Sequence, residues 1–154
     1  MPDLGASSMI ERGRSILLVE DDPDHELLTI RALRKANVAN EIRSAHDGEE
    51  AIEMLFGAGS NALDELPSLV LLDLKLPKID GLEVLRRIRE SPRTQVLPVV
   101  ILTSSDEESD IVRSYRLGAN SYVRKPVSFA EFAEATRQLG LYWLVLNQCP
   151  PIKN

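Results

Sequence analysis

The chain has 154 residues, 44% of them hydrophobic and 27% charged, which suits one globular domain with its own core and leaves too little length for two. Its net charge is −6, and the basic residues are dispersed rather than gathered in a stripe, which argues against a nucleic-acid surface. A single cysteine, Cys149, and two histidines exclude an internal disulfide and any recognisable zinc spacing. The opening MPDLGASSMIERGR lacks the apolar centre of a signal peptide and no run of 18 apolar residues occurs, so a soluble protein of the reducing cytoplasm is expected, with residues 1–14 as a flexible tail.

From Ser15 onward short apolar runs alternate with amphipathic stretches. ILLV (16–19) reads as a first strand; Glu20-Asp21-Asp22 follows it, and then a helix over Pro23–Lys35, with Asp22 as N-cap and proline at the first helical position. EIRSA (41–45) reads as a second strand, His46-Asp47-Gly48 as an ordinary turn, and Glu49–Phe56 as a second helix. LVLL (69–72) is continuous and apolar, as in a parallel strand buried on both faces, and it ends on Asp73 before a Pro-Lys-Ile-Asp-Gly turn. A charge placed there by accident would be costly to bury, so Asp73 is either a satisfied turn residue or the centre of a site. A third helix is expected over Leu82–Arg89, a fourth strand at VVILT (99–103), a fourth helix over Glu107–Leu117 and a fifth strand at SYVR (121–124). A last helix over Phe129–Leu146 and a tail at 147–154 complete the chain.

Five strands alternating with five helices predict an α/β domain over residues 15–146, with a parallel sheet and right-handed crossovers. Ligands of such sheets sit beyond the carboxyl ends of the strands. Glu20, Asp21 and Asp22 follow the first strand, Asp73 the third, Thr103-Ser104 the fourth and Lys125-Pro126 the fifth. Crowded together, Glu20, Asp21 and Asp73 repel one another unless a cation intervenes, and with only hard oxygen donors on offer that cation is Mg²⁺. A carboxylate can be the nucleophile of phosphoryl transfer. Asp73 is the candidate acceptor, Lys125 a point charge on the incoming phosphoryl oxygens and Thr103 a hydroxyl donor to another.

With ILLVEDDP, LLDLKLPKIDG, VVILTSS and GANSYVRKP in place, the stretch Ser15–Leu139 resembles the receiver domain of two-component response regulators. The resemblance implies a doubly wound five-stranded parallel sheet of order 2-1-3-4-5. It implies that Asp73 is the phosphoacceptor, Asp21 a direct metal ligand, Glu20 a metal contact through water, and the backbone carbonyl of Lys75 a further ligand. Thr103 and Tyr122 match the family's switch pair, and Lys125 its lysine, with a cis bond to Pro126. Glu20 departs from the commoner Asp, and Lys75 stands two residues after the acceptor, where side chains influence how quickly phosphate is lost.

A chain this short has no room for an output module, so it is expected to act as a stand-alone regulator that catalyses only its own phosphorylation and dephosphorylation. The DLKLPKIDG and DEESDIVRSYRLGANSYVRKPV segments and the LYWL tail resemble the small response regulators of bacterial phytochrome histidine kinases, which implies such a sensor kinase as partner. The end of the last helix is apolar nearly all round, and Leu141, Tyr142, Trp143, Leu144 and Val145 are candidates for a homodimer surface, against a helix folded back on its own domain. A haloacid-dehalogenase-type phosphatase is disfavoured because Lys75 stands where its general acid would be. A nucleotide-binding module is disfavoured because neither GxxxxGK[ST] nor GxGxxG occurs. A module that docks without phosphorylation is the remaining alternative.

Overall fold

The computed structural model describes residues 14–126 and 128–146. Its strands are β1 (Ile16–Val19), β2 (Ile42–Ala45), β3 (Leu69–Leu72), β4 (Val99–Thr103) and β5 (Ser121–Arg124). Its α-helices are α1 (Pro23–Lys35), α2 (Gly48–Phe56), α3 (Gly81–Glu90), α4 (Glu108–Arg116) and α5 (Phe129–Leu141). The sheet runs β2-β1-β3-β4-β5 with every pairing parallel, the order the resemblance implied. The expected tail residues 1–13 and 147–154, including Cys149, and the side chain of Val145 lie outside the described residues.

Alternation along the strands makes two cores from one sheet. Leu17, Val19, Val70, Leu72, Val99 and Ile101 face α2 and α3, meeting Met54, Leu55, Leu85 and Ile88. Ile16, Leu18, Leu69, Leu71, Val100 and Leu102 face the other way, onto Leu33 of α1 and Phe132 and Leu139 of α5. The three central strands are thus buried on both sides, which is why they read as continuous apolar runs. Helix α4 differs from the rest, since Ser114 is its one buried residue.

Local chemistry starts the helices. Asp22 Oδ1 accepts from the backbone N–H groups of Asp24 (2.9 Å) and His25 (3.3 Å) ahead of α1, with Pro23 at its first position. Asp47 caps α2 through Glu50 N–H at 2.7 Å, Asp80 caps α3 through Glu83 N–H at 2.9 Å, and Ser128 caps α5 through Glu131 N–H at 3.4 Å. His46-Asp47-Gly48 is therefore more than an ordinary turn. Gly48 N–H also donates to Pro77 O at 3.3 Å, and a Cβ on Gly48 would lie 1.8 Å from Ile79 O, so glycine lets the start of α2 touch the β3–α3 loop.

The last helix departs from expectation. It is α-helical to Leu141 and then widens into a π turn over Tyr142–Leu146, instead of running as one α-helix to residue 146. Gly140 brings α5 close to the α1 side, where an added Cβ would meet Leu33 Cδ2 at 2.9 Å and Val38 Cγ2 at 3.2 Å. The wider turn re-aims the residues within it. Trp143 and Leu144 pack against the α1/α5 core, so part of the apolar surplus is absorbed by the chain itself. Tyr142 remains half exposed, its ring edge-on to Trp143 at 5.2 Å between centroids.

Candidate functional site

Strand register assembles the site. Val19 pairs with Leu72, and Asp73 N–H continues that ladder to Val19 O at 3.1 Å, so Glu20 and Asp73 leave neighbouring strands side by side. Thr103 pairs with Arg124, and Lys125 N–H donates to Thr103 O at 2.7 Å, which carries the lysine past the same edge. Glu20, Asp73, Thr103 and Lys125 are all buried, at 2%, 6%, 0% and 5% exposure, whereas Asp21 is exposed at the mouth.

Asp73 is held through both oxygens. Its Oδ1 accepts from Thr103 Oγ1 at 2.7 Å and from Lys75 N–H at 3.2 Å, and its Oδ2 accepts from Lys125 Nζ at 3.0 Å. Lys125 also pairs with Glu20 Oε1, while Glu20 Oε2 accepts from Asp22 N–H at 3.2 Å. Burial pushes the Glu20 carboxyl up to about 7, against the opposing pull of the Lys125 ammonium.

Glu20, Asp21 and Asp73 each offer a carboxylate oxygen within 4.8 Å of the others. Three carboxylates against one ammonium leave a local excess of two negative charges when all are ionised. An all-oxygen donor set with that deficit fits a hard divalent cation such as Mg²⁺ or Mn²⁺.

The structure connects the site to α4. Ser105 N–H donates to Thr103 Oγ1 at 3.4 Å, and Ser105 Oγ donates to Asp110 Oδ2 at 2.6 Å. The Tyr122 hydroxyl donates to Ser105 O at 2.8 Å, its ring partly buried against the α2/α3 core, and that burial raises its pKa. Thr103 and Tyr122 thus meet through Ser105, which the sequence reading passed over.

One implied feature is corrected. The Lys125–Pro126 bond is trans, since no cis peptide occurs among the described residues. The β4–β5 ladder already sets the lysine backbone, and its side chain reaches Glu20 and Asp73 from that trans conformation. Asp22 acts as the helix cap expected of it. His25 was missed altogether: its Nδ1 lies 3.0 Å from Lys125 Nζ, a contact spanning a hundred positions that no local pattern announces.

Carboxylates at the switch point of a 2-1-3-4-5 sheet, with a strand-end hydroxyl and a lysine closing over them, define the receiver class of doubly wound α/β domain. The chain belongs to the response regulator receiver domain family, whose model matches residues 16–137. It is similar to response regulator Rcp1 of Synechocystis sp., at 36% identity over 129 residues, 84% of this chain and 88% of that one. The Mn²⁺-bound form of Rcp1 superimposes with a TM-score of 0.85 at 34% identity, covering 90% of this chain and 99% of that one. The phosphorylated cyanobacterial phytochrome response regulator RcpA gives 0.86 at 36% identity over the same shares. The bacteriophytochrome response regulator AtBRR gives 0.69 at 51% identity, covering 88% of this chain and 99% of that one. Among the described residues no helix is long and apolar enough to cross a membrane.

Proposed function

We propose that the chain is a stand-alone phosphorylation switch that takes a phosphoryl group from a sensor histidine kinase, a bacteriophytochrome by its likeness to RcpA and AtBRR, onto Asp73. The observation that carries this reading is the convergence of Thr103 Oγ1, Lys125 Nζ and two further carboxylates on the buried Asp73. In the transfer a carboxylate oxygen of Asp73 attacks phosphorus, the P–N bond of the phosphohistidine breaks, and the imidazole leaves with the bonding pair. Glu20, Asp21, Asp73 and the Lys75 carbonyl are the proposed holders of Mg²⁺, with Glu20 acting through water. When bound, the ion supplies positive charge against the phosphoryl oxygens.

Thr103 and Lys125 now donate to Asp73 itself, so both are placed to turn toward phosphoryl oxygens once these arrive. Moving Thr103 disturbs Ser105, and through it Tyr122 and Asp110 on α4. The α4–β5–α5 face is therefore the proposed output surface. Water then hydrolyses the acyl phosphate, and the chain's own chemistry extends no further. A homodimer through the end of the last helix, with the half-exposed Tyr142 at its centre and Leu141 beside it, completes the proposal.

Intact mass after incubation with acetyl phosphate tests the acceptor. Wild type gains one phosphoryl group with Mg²⁺ and none with EDTA, and Asp73→Asn gains none. Equal gain by Asp73→Asn overturns the assignment. Phosphotransfer from a bacteriophytochrome kinase that differs between red and far-red light tests the partner, and sedimentation of wild type against Tyr142→Arg tests the dimer.

A further inference from the structure

His25 sits in the first turn of α1, with its ring between two things that matter. On one side Nδ1 lies 3.0 Å from Lys125 Nζ. On the other the ring stacks on Phe132 of α5, with centroids 5.6 Å apart and planes 27° from parallel. Phe132 is buried at 3% exposure, so it is a fixed surface rather than a mobile neighbour. The helix holds the backbone too: His25 N–H donates to the Asp22 cap at 3.3 Å, and Thr29 Oγ1 donates to His25 O at 2.7 Å.

An ammonium has three protons to donate and no lone pair to accept with. Opposite Lys125, His25 Nδ1 serves as an acceptor in the tautomer that carries the ring proton on Nε2. The three acceptors around Lys125 are Glu20 Oε1, Asp73 Oδ2 and His25 Nδ1, one for each proton. Two of them carry charge that a divalent cation would also claim. The third lies outside the Glu20, Asp21 and Asp73 group and is backed by a buried ring of α5.

We infer that His25 is a positioning residue for phosphoryl transfer: its Nδ1 holds the Lys125 ammonium in line with Asp73 and ties that ammonium to α5 through Phe132. The inference rests on the phosphoacceptor reading of Asp73. Its physical content is that His25 keeps one proton of Lys125 engaged while the other two exchange carboxylate partners for phosphoryl oxygens. Lys125 is thereby spared a search through its rotamers at the moment of transfer.

Three variants separate the acceptor from the stack. His25→Ala removes both, His25→Phe keeps a ring on Phe132 without an acceptor, and His25→Asn returns an acceptor near the Nδ1 position without the stack. With a small-molecule phosphodonor at saturating Mg²⁺, the phosphorylation rate constant falls roughly 10-fold in His25→Ala and His25→Phe and recovers to within about 3-fold of wild type in His25→Asn. Mg²⁺ affinity stays within about 2-fold in all three, because no carboxylate donor is touched. A wild-type rate in His25→Phe, no recovery in His25→Asn, or a loss that follows Mg²⁺ affinity overturns the inference. A second readout needs no phosphate: hydrogen exchange of the Lys125 ζ-ammonium, followed by NMR with [¹⁵N]lysine, accelerates in His25→Ala and His25→Phe. If wild type takes no phosphoryl group, the functional reading fails, and this exchange rate alone decides the role of His25, with unchanged exchange in both variants refuting it.

Discussion

Replacing Lys125 by methionine keeps most of the side-chain volume and deletes the ammonium. The side chains it leaves behind, Glu20 and Asp73, are only 3% and 8% exposed, so water does not take over the lost interactions. Removing one partner of a buried pair costs about 3–5 kcal/mol, and near pH 8 without divalent cations the full figure is expected, because Glu20, raised to about 7, is then ionised. Near pH 5.5 Glu20, raised to about 7, is already protonated in the wild type, so the Lys125–Glu20 pair contributes little there and the loss shrinks to about half. Urea unfolding in EDTA at the two pH values, with the slope checked for constancy, measures this difference. Mg²⁺ should restore more stability to the variant than to wild type, since it then meets the carboxylates without a competing ammonium. A loss under about 1 kcal/mol near pH 8, or an equal loss at both pH values, refutes the pairing on which the site description depends.

The Glu20 carboxyl also sets a pH dependence of its own. Its raised value in the folded state means that it stabilises the metal-free protein below about 4.5 and that this contribution is lost as pH rises to about 7. Glu20→Gln should flatten the stability profile across that window, and Mg²⁺ affinity measured by calorimetry should weaken in wild type as pH falls below about 7. Gly81→Ala would put a Cβ 2.2 Å from Asp73 O and 2.7 Å from Leu74 Cα, so the β3–α3 loop must move. A destabilisation of about 1–3 kcal/mol in urea and a slower phosphorylation are expected, and an unperturbed variant would show that the close approach is dispensable. Ser114→Ala removes the one buried side-chain polar atom without a partner among the described residues, a hydroxyl under α4. It should raise stability by about 1 kcal/mol, read as a higher thermal midpoint, whereas a loss would mean that the hydroxyl is satisfied in solution.

Much of this was legible along the chain because the forces involved are local. The ILLV, LVLL and VVILT runs announced strands since both faces of the sheet are covered. Asp22-Pro23 announced α1 because the cap bonds close within three residues. Asp73, Thr103 and Lys125 stood out because each ends a strand or follows one directly, and parallel strands deliver their carboxyl ends to one edge.

What only the tertiary structure decided is what depends on the distances between elements. His25 meets Lys125 because α1 and β5, far apart in the chain, flank the same edge of the sheet. Gly48 lies against Ile79 because α2 and the β3–α3 loop are packed together, and nothing in HDG states how near another backbone comes. The last helix carries the same lesson in its apolar surplus. Composition showed more hydrophobic surface than one stripe can hide, but whether that surface turns inward depends on a π turn and on the room Gly140 leaves beside Leu33 and Val38. Local hydrogen bonds and hydrophobic period act within a few residues and can be read from the chain, whereas long-range contacts follow from sheet order and packing.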